Sequence, residues 1–362
     1  MYIYIVLWVI FNSVLSQIEI PLVKGLGTYD IRLFINNNPT YRQFLPDMEC
    51  DVMYITRDNS IIDEEMPTIP KEGFLMQLNF FLGYNYTTPL LKNFTYKVIE
   101  KEPSYFIGIN HFPLGFSIKD ESMSFIHQLY NKGRITKKGF ALYINESIDK
   151  SIIFIGEQPK RLINEFQYNY GISIRVNTNY SNWGCTINSI SFGEEFYQIE
   201  RYAYFQGAKQ KIWIPRKVYS FLESTLFKPY LANYTCFTIM AMDGVSFQCQ
   251  CAQLTYFPNL TFTLNGNKIE LSMKELFDGF YGMCVSSFIS GKEEEYDKWI
   301  LGLPFFRKYI IYFDYENKDI TFYSQFPFEK HLPQTYIIYV MISSLCVINS
   351  IILLYAKIKL LI

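Results

Sequence analysis

The most informative segment of this sequence is Trp299-Ile300-Leu301-Gly302-Leu303-Pro304-Phe305-Phe306-Arg307-Lys308-Tyr309. Two apolar residues and a glycine precede an aromatic-rich run. Directly after it, Tyr312 to Phe322 has the pattern of two antiparallel strands that turn at Glu316-Asn317. The segment therefore predicts a β-hairpin whose turn is at Glu316-Asn317.

Strand-like runs dominate both halves of the chain, and helical pattern is sparse. The runs are 29–35, 151–155, 185–192, 259–264 and 309–313. One helix is predicted at 124–130, where Phe125, Ile126 and Leu129 share one side. A second is predicted at 216–227, opened by Pro215 where a helix needs no amide donor. The 30 Tyr and 32 Phe suit half-buried strands, and the predicted fold class is mainly β.

The order of these segments resembles that of the pepsin-like aspartic proteases. The segment 123–143 is similar to a helix and strand of that family, and 186–193 to the strand before its second active-site loop. Phe257 to Phe262 resembles a strand of the C-terminal lobe, and Trp299 to Tyr309 resembles the C-terminal signature. The resemblance implies a bilobal pepsin-like fold, with an N-terminal lobe at 17–170 and a C-terminal lobe at 171–334.

Two further features agree with a two-lobed chain. Tyr105-Phe106-Ile107-Gly108-Ile109 in the first half comes close to repeating Trp299-Ile300-Leu301-Gly302-Leu303 in the second. Cys251 lies seven residues before Pro258, at the place of the family's first C-terminal half-cystine. The resemblance therefore implies a disulfide between Cys251 and Cys284.

The family cuts peptides with two Asp-Thr-Gly loops, one from each lobe. Two carboxylates about 3 Å apart share a proton, so one acts as base on the attacking water and the other as acid. The resemblance places Asp47-Met48-Glu49 at the first loop, with Asp51 as a weaker alternative for the aspartate. It places Gln206-Gly207-Ala208 at the second loop, with Gln206 at the position of the second aspartate.

These substitutions predict a vestigial catalytic site. Gln206 is a neutral amide that can neither act as a general base nor share a carboxylate proton, so Asp47 lacks its partner. Met48 and Gly207 cannot form the threonine hydrogen bonds that cross-link the lobes in the family. The short interval between Asp47 and Phe81 also predicts a truncated flap, and it contains no clear match to the flap tyrosine.

Both ends of the chain have the character of secretory-pathway signals. Residues 1–16 are apolar up to Phe11 and end in small residues, which is typical of a signal peptide. Residues 335–356 contain no charge and suffice for a transmembrane helix, with Lys357 and Lys359 in a cytosolic tail at 357–362. The pattern predicts a single-pass type I membrane protein of the secretory pathway or cell surface.

Cysteines and glycosylation sequons fit that compartment. An even number of cysteines precedes the predicted span, which favours disulfides over metal binding, and the partners of Cys50, Cys185, Cys236 and Cys249 stay open. N-glycosylation is predicted at six Asn-x-Ser/Thr sites. They are Asn85, Asn93, Asn145, Asn179, Asn233 and Asn259. We expect neither a metal site nor a cofactor.

Three functional interpretations follow. The first is a membrane-anchored pseudoprotease that binds peptide or protein ligands in the interlobe cleft. The second is an active or residual aspartic endopeptidase that pairs Asp47 with Asp51 or Glu49, and the third is a structural surface glycoprotein. Lys+Arg 33 against Asp+Glu 34, without a basic cluster, argues against a nucleic-acid partner. A monomer is expected.

Overall fold

The computed structural model describes thirteen segments of the chain. They are residues 17–24, 29–35, 41–48, 54–56, 74–81, 90–99, 111–118, 124–145, 150–180, 182–207, 209–241, 244–290 and 299–328. The predicted signal peptide (1–16), transmembrane helix (335–356) and tail (357–362) lie outside them. Within these segments, no helix has the length and apolar character needed to span a bilayer.

Strands make up most of the described chain. The strands are β1 (Gln17–Lys24), β2 (Tyr29–Ile35), β3 (Tyr41–Asp47), β4 (Tyr54–Thr56), β5 (Phe74–Phe81), β6 (Leu91–Ile99), β7 (His111–Gly115), β8 (Gly139–Asn145), β9 (Lys150–Gly156), β10 (Tyr170–Arg175), β11 (Gly184–Phe192), β12 (Glu195–Phe205), β13 (Ile212–Ile214), β14 (Cys236–Ala241), β15 (Gly244–Gln250), β16 (Leu260–Leu264), β17 (Asn267–Leu271), β18 (Phe277–Phe280), β19 (Met283–Ser286), β20 (Phe288–Ser290), β21 (Trp299–Leu301), β22 (Ile310–Asp314) and β23 (Asp319–Ser324). The helices are α1 (Phe125–Asn131), α2 (Lys160–Glu165), α3 (Arg216–Ser224), α4 (Lys228–Ala232), a 3-10 turn (Cys251–Tyr256), α5 (Met273–Leu276) and α6 (Leu303–Lys308). The mainly β prediction is confirmed.

The first sheet joins the two ends of the described chain. Its strand order is β10-β23-β22-β8-β9-β1-β2-β5-β6-β4, with β3 beside β2 and β7 beside β3. The hairpin β22–β23 therefore pairs with N-terminal strands, although it lies within the range 171–334. Each residue of β22 is buried, because this strand lies inside the sheet between β8 and β23. A strand buried in this way reads as a continuous apolar run rather than an alternating one.

The second sheet is built from the C-terminal half alone. Its order is β17-β16-β11-β12-β21-β13-β20-β15-β19-β18, with β14 beside β15. Most neighbours are antiparallel, but β12 pairs with β21 and β13 with β20 in parallel. One continuous hydrophobic core contains side chains from both sheets.

A cluster of aromatic side chains packs around Phe116, at the end of β7. The indole N–H of Trp183 donates to the carbonyl of Phe116 at 2.7 Å, and the hydroxyl of Tyr315 donates to the same carbonyl at 2.9 Å. Phe140 stacks on Phe313 with ring centroids 4.7 Å apart. These contacts bind the β7 segment to the inter-sheet connection and to the C-terminal hairpin.

Two local predictions are confirmed, and one needs correction. The turn at Glu316-Asn317 joins β22 to β23, and α1 begins after Ser124, whose side chain accepts a hydrogen bond from the amide of His127. The predicted helix at 216–227 is shorter than expected, because α3 ends at Ser224. The hydroxyl of Thr225 donates to the carbonyl of Phe221, and the amide of Phe227 donates to the carbonyl of Leu222 five residues earlier, so the regular helical bonding stops there.

Candidate functional site

The two predicted loops follow strands that are arranged alike in the two lobes. Strand β3 runs parallel to β7, and Asp47 at its end is level with Gly115. Strand β12 runs parallel to β21, where Phe205 is level with Leu301, and the amide of the next residue, Gln206, donates to the carbonyl of Leu301 at 3.1 Å. Asp47 and Gln206 therefore lie at related positions, each beside the end of a parallel strand.

The structure brings the two loops into direct contact. The backbone N–H of Met48 donates to Oε1 of Gln206 at 3.1 Å, across 158 residues of sequence. Met48 is 0% exposed and Gln206 is 1% exposed, so water does not compete for this bond. The missing threonine cross-links therefore do not leave the loops unconnected, because an amide side chain joins them instead. Sequence pattern does not predict this bond, because it joins residues 158 positions apart that only the fold brings together.

Tight backbone packing holds the second loop in place. A Cβ atom on Gly302 would lie 2.3 Å from the carbonyl oxygen of Lys211 and 2.5 Å from that of Lys209. The amide of Leu303 also donates to the Lys209 carbonyl at 2.9 Å. Only glycine allows the chain after β21 to lie this close to the segment that follows Gln206. The glycine of the most informative segment thus packs directly against the candidate site.

The apolar-Gly-apolar pattern of 301–303 recurs in the N-terminal half at 114–116, in addition to the predicted repeat at 105–109. Tyr105–Ile109 lies outside the described residues. The strand that pairs with β3 is β7, and its end, Leu114-Gly115-Phe116, repeats the apolar-Gly-apolar pattern of Leu301-Gly302-Leu303. That pattern was present in the sequence and indicates the same role in both lobes.

The remaining residues of the predicted site are placed only in part. Asp47 is the last residue of β3 and directly precedes Met48. Glu49, Cys50, Asp51 and most of the flap interval lie outside the described residues. Within the described segments, no group of three or more His, Cys, Asp or Glu side chains is arranged to hold a metal ion.

Ser124 and His127 form a buried, hydrogen-bonded pair at the start of α1. Oγ of Ser124 lies 2.9 Å from Nδ1 of His127 and also accepts from the His127 amide at 3.2 Å. Ser124 is 0% exposed and His127 is 5% exposed, so a substrate does not reach the hydroxyl. The pair fixes the start of α1, as an N-cap does, and has no nucleophilic role.

Disulfides join strands of the C-terminal lobe. Cys251 and Cys284 are bonded, as the resemblance implies, and a second disulfide joins Cys236 to Cys249 on the adjacent strands β14 and β15. Cys185 is a free, buried thiol, and burial raises its pKa to about 12. A thiol with this pKa is not a nucleophile at physiological pH.

The asparagines of the predicted glycosylation sites differ in whether their side-chain amide is hydrogen-bonded to another side chain or lies exposed at the surface. Nδ2 of Asn145 donates to the hydroxyl of Tyr143 at 2.9 Å, and Nδ2 of Asn259 donates to Oε1 of Glu270. Asn93, Asn179 and Asn233 are exposed. Asn85 lies outside the described residues. Glycosylation stays a prediction at all six positions.

Comparisons with known proteins agree on one family. The family model described as "Asp: Eukaryotic aspartyl protease" matches residues 104–325. Chymosin of Bos taurus is 37% identical over 71 residues, which is 20% of this chain and 18% of chymosin. The alignment therefore spans less than a fifth of that relative. The crystal structure of an aspartic proteinase from Irpex lacteus superposes with a TM-score of 0.65 and 13% identity, over 85% of this chain and 97% of that one. At this identity the superposition demonstrates the fold alone, which is mainly β, bilobal and pepsin-like.

Proposed function

Because the chain belongs to the eukaryotic aspartyl protease family, we propose that it is a catalytically inactive, membrane-anchored member that binds peptide or protein ligands between its lobes. One observation carries the proposal. Gln206, which the family resemblance puts at the position of the second aspartate, accepts the backbone N–H of Met48 with its amide oxygen.

The amide removes the chemistry of the family. Catalysis needs two carboxylates that share one proton, because only then does one act as base while the other acts as acid. An amide has no titrating proton in the relevant pH range and presents one acceptor oxygen. In Gln206 that oxygen accepts the backbone N–H of Met48 in the facing loop.

The hydrogen bond of the Gln206 amide also supports the proposal that the lobes still form a cleft, because it holds the two loops together. A buried hydrogen bond whose loss would leave a backbone N–H unsatisfied costs about 1–3 kcal/mol to break. The bond between Met48 and Gln206 therefore stabilises the contact between the two loops. Loops that stay joined keep the lobes in a fixed relation, which a groove for an extended peptide requires.

Membrane anchoring and glycosylation complete the proposal. They are supported by the uncharged run at 335–356, by the lysines at 357 and 359, and by the six sequons. Such a protein is made in the secretory pathway with its folded part on the luminal or extracellular side.

The first test of the proposal is a peptide-cleavage assay. The purified full-length chain is incubated with a peptide library between about pH 2 and pH 6, the range in which carboxylates titrate, with and without pepstatin. We expect no cleavage. Cleavage that disappears in Asp47→Ala would support a residual endopeptidase instead. Pepstatin-sensitive cleavage gained by Gln206→Asp together with Glu49→Gly would support the placement of both loops.

Binding is tested with a substitution that fills the cleft. Gly207→Trp places a large side chain beside Gln206, and Glu194→Trp serves as its control in the turn between β11 and β12. Peptides captured by the wild type should be lost by Gly207→Trp and kept by Glu194→Trp. Equal capture by all three proteins would contradict a cleft ligand and favour a structural glycoprotein.

A further inference from the structure

The surface where the described chain ends has an exposed aromatic residue between two hollows. Phe326 is 73% exposed. It lines a hollow of about 420 Å³ together with Lys274 and Arg307, and a second hollow of about 220 Å³ together with Lys268 and Phe328. Lys308 and Ser324 also line both hollows, so the two lie side by side. We name this surface the exit face and define it by Lys268, Lys274, Arg307, Lys308, Phe326 and Phe328.

The acidic groups of the exit face already have partners on the protein. The amide and hydroxyl of Ser272 donate to Glu275, and Arg307 pairs with Asp278 at 2.8 Å. Glu270 accepts from the amide of Asn259.

Two lysines of the exit face, unlike its acidic groups, have no oppositely charged partner among the described residues. Within the thirteen described segments, neither Lys274 nor Lys308 has a carboxylate within salt-bridge distance. The ammonium of Lys308 lies over the ring of Tyr309, 5.6 Å from its centroid. The face therefore presents two lysines without a carboxylate partner beside an exposed phenyl ring. Such a combination suits a phosphate layer with apolar material beneath it.

The chain leaves the domain at a fixed point of this face. Phe328, the last described residue, stacks on Tyr309 with ring centroids 5.8 Å apart. Only residues 329–334 separate it from the uncharged run that begins at 335. Even fully extended, six residues reach about 20 Å, and the headgroup layer of one leaflet takes about 6 Å of that length. An anchored domain is therefore held within a short distance of the lipid.

Two sequons lie at the same surface. Asn145 lines the larger hollow, and its amide is bonded to Tyr143. Asn259 is bonded to Glu270, which lines the smaller hollow. Asn179 and Asn233 are exposed and line neither hollow. A surface that faces lipid has no room for a glycan, so these two groups of sequons should differ in occupancy.

From these observations we propose that the exit face lies against the phospholipid headgroup layer, with Lys274 and Lys308 at the phosphates and Phe326 in the glycerol region. The inference rests on the membrane anchoring of the proposed function. It adds a definite orientation, in which one side of the molecule is turned to the membrane.

The orientation is tested by fluorescence quenching in vesicles of phosphatidylcholine with brominated acyl chains. The full-length chain is reconstituted as Phe326→Trp or as the control Tyr256→Trp, whose parent side chain is 74% exposed and lines neither hollow. The fluorescence added relative to wild type should be quenched at least threefold more at position 326. Lys274→Glu with Lys308→Glu should at least halve that quenching, whereas Lys217→Glu with Lys228→Glu, on α3 and α4, should leave it unchanged.

Each outcome separates the orientation from the anchor. Equal quenching at 326 and 256 in protein that stays in the vesicles after alkaline carbonate washing would overturn the orientation and leave the anchor standing. Release of the protein by the wash would overturn both. Mapping of the N-glycans on the protein purified from cells tests the orientation independently. Modification at Asn179 and Asn233 without modification at Asn145 is expected, and full occupancy at Asn145 would contradict the orientation.

Discussion

Gln206 carries two consequences at the scale of a single residue. Its oxygen accepts the backbone N–H of Met48 and so binds the first loop. Under the proposed function, the same amide takes the place of a titrating carboxyl. An apolar side chain at this position would lack the carboxyl and would also leave the Met48 N–H without this acceptor.

Replacement of Gln206 by leucine should therefore destabilise the protein rather than merely leave it inactive. Gln206→Leu deprives the buried Met48 N–H of its acceptor, and we expect the free energy of unfolding to fall by about 1–3 kcal/mol. Urea denaturation measures the change. Gln206→Glu at pH 4 is the control, because a mostly protonated carboxyl keeps an acceptor oxygen at the same reach. Equal stability of the leucine variant and the wild type would show that the bond contributes nothing.

At the scale of an element, the hairpin β22–β23 contains a buried carboxylate that makes its turn sensitive to pH. Asp314 accepts from the amides of Glu316 and Asn317 at 3.0 and 3.1 Å and from Lys137 at 2.8 Å. Burial alone would raise the pKa of Asp314, but the hydrogen bonds from Lys137 and Asn317 outweigh it and hold the pKa below its ordinary value.

The sign of the pH effect follows from that pKa. The unfolded chain binds the proton of Asp314 more tightly than the folded protein does, so the stabilisation is complete above about pH 4 and is lost as the pH falls through the folded pKa. The gap in unfolding free energy between wild type and Asp314→Asn should be larger at pH 7 than at pH 2. Lys137→Met should show the same trend. A gap that does not change with pH would mean that the carboxylate does not stabilise the turn.

A second element-scale prediction concerns the glycine after β21. Gly302→Ala forces a methyl group against the carbonyls of Lys209 and Lys211, so the backbone must move. Overpacking of this kind costs about 1–3 kcal/mol. Thermal denaturation measures it, with Gly279→Ala as the control, because a Cβ there would meet its nearest neighbour, Sγ of Cys284, at an ordinary contact distance of 3.4 Å. If Gly302→Ala unfolds at the same temperature as the wild type, the chain at Gly302 does not lie as close to the carbonyls of Lys209 and Lys211 as described.

The sequence predicted the elements well where local pattern and tertiary role agree. The hairpin with its turn at 316–317 follows from two apolar runs around a polar pair, and helix α1 follows from the helical spacing of Phe125, Ile126 and Leu129. The early end of α3 at Ser224 was not predicted, because it depends on an i→i−5 backbone bond from Phe227 to Leu222 that periodicity does not report. The bond from Met48 to Gln206 was not predictable either, since it joins loops 158 residues apart that only the fold brings together.

At the scale of the whole molecule, two disulfides strengthen one edge of the C-terminal lobe. They close loops of 33 and 13 residues, for Cys251–Cys284 and Cys236–Cys249 respectively. The chain-entropy relation predicts that their removal costs about 4 and about 3 kcal/mol, the longer loop costing more. Paired replacements by alanine, followed by guanidinium denaturation, measure both. A larger loss for the shorter loop would show that native-state contacts dominate over chain entropy.

The first sheet also has a consequence for how the protein is made. Strand β8 lies between β9 and β22, and its partner on one side, residues 310–314, is among the last of the folded part to leave the ribosome. During synthesis the nascent N-terminal region must therefore expose the unpaired backbone of β8 while some 165 further residues are added, counted from Asn145 to Ile310. An open strand edge is a template for misassembly. Biogenesis of this protein should accordingly depend on chaperones that shield that edge until the final hairpin closes it.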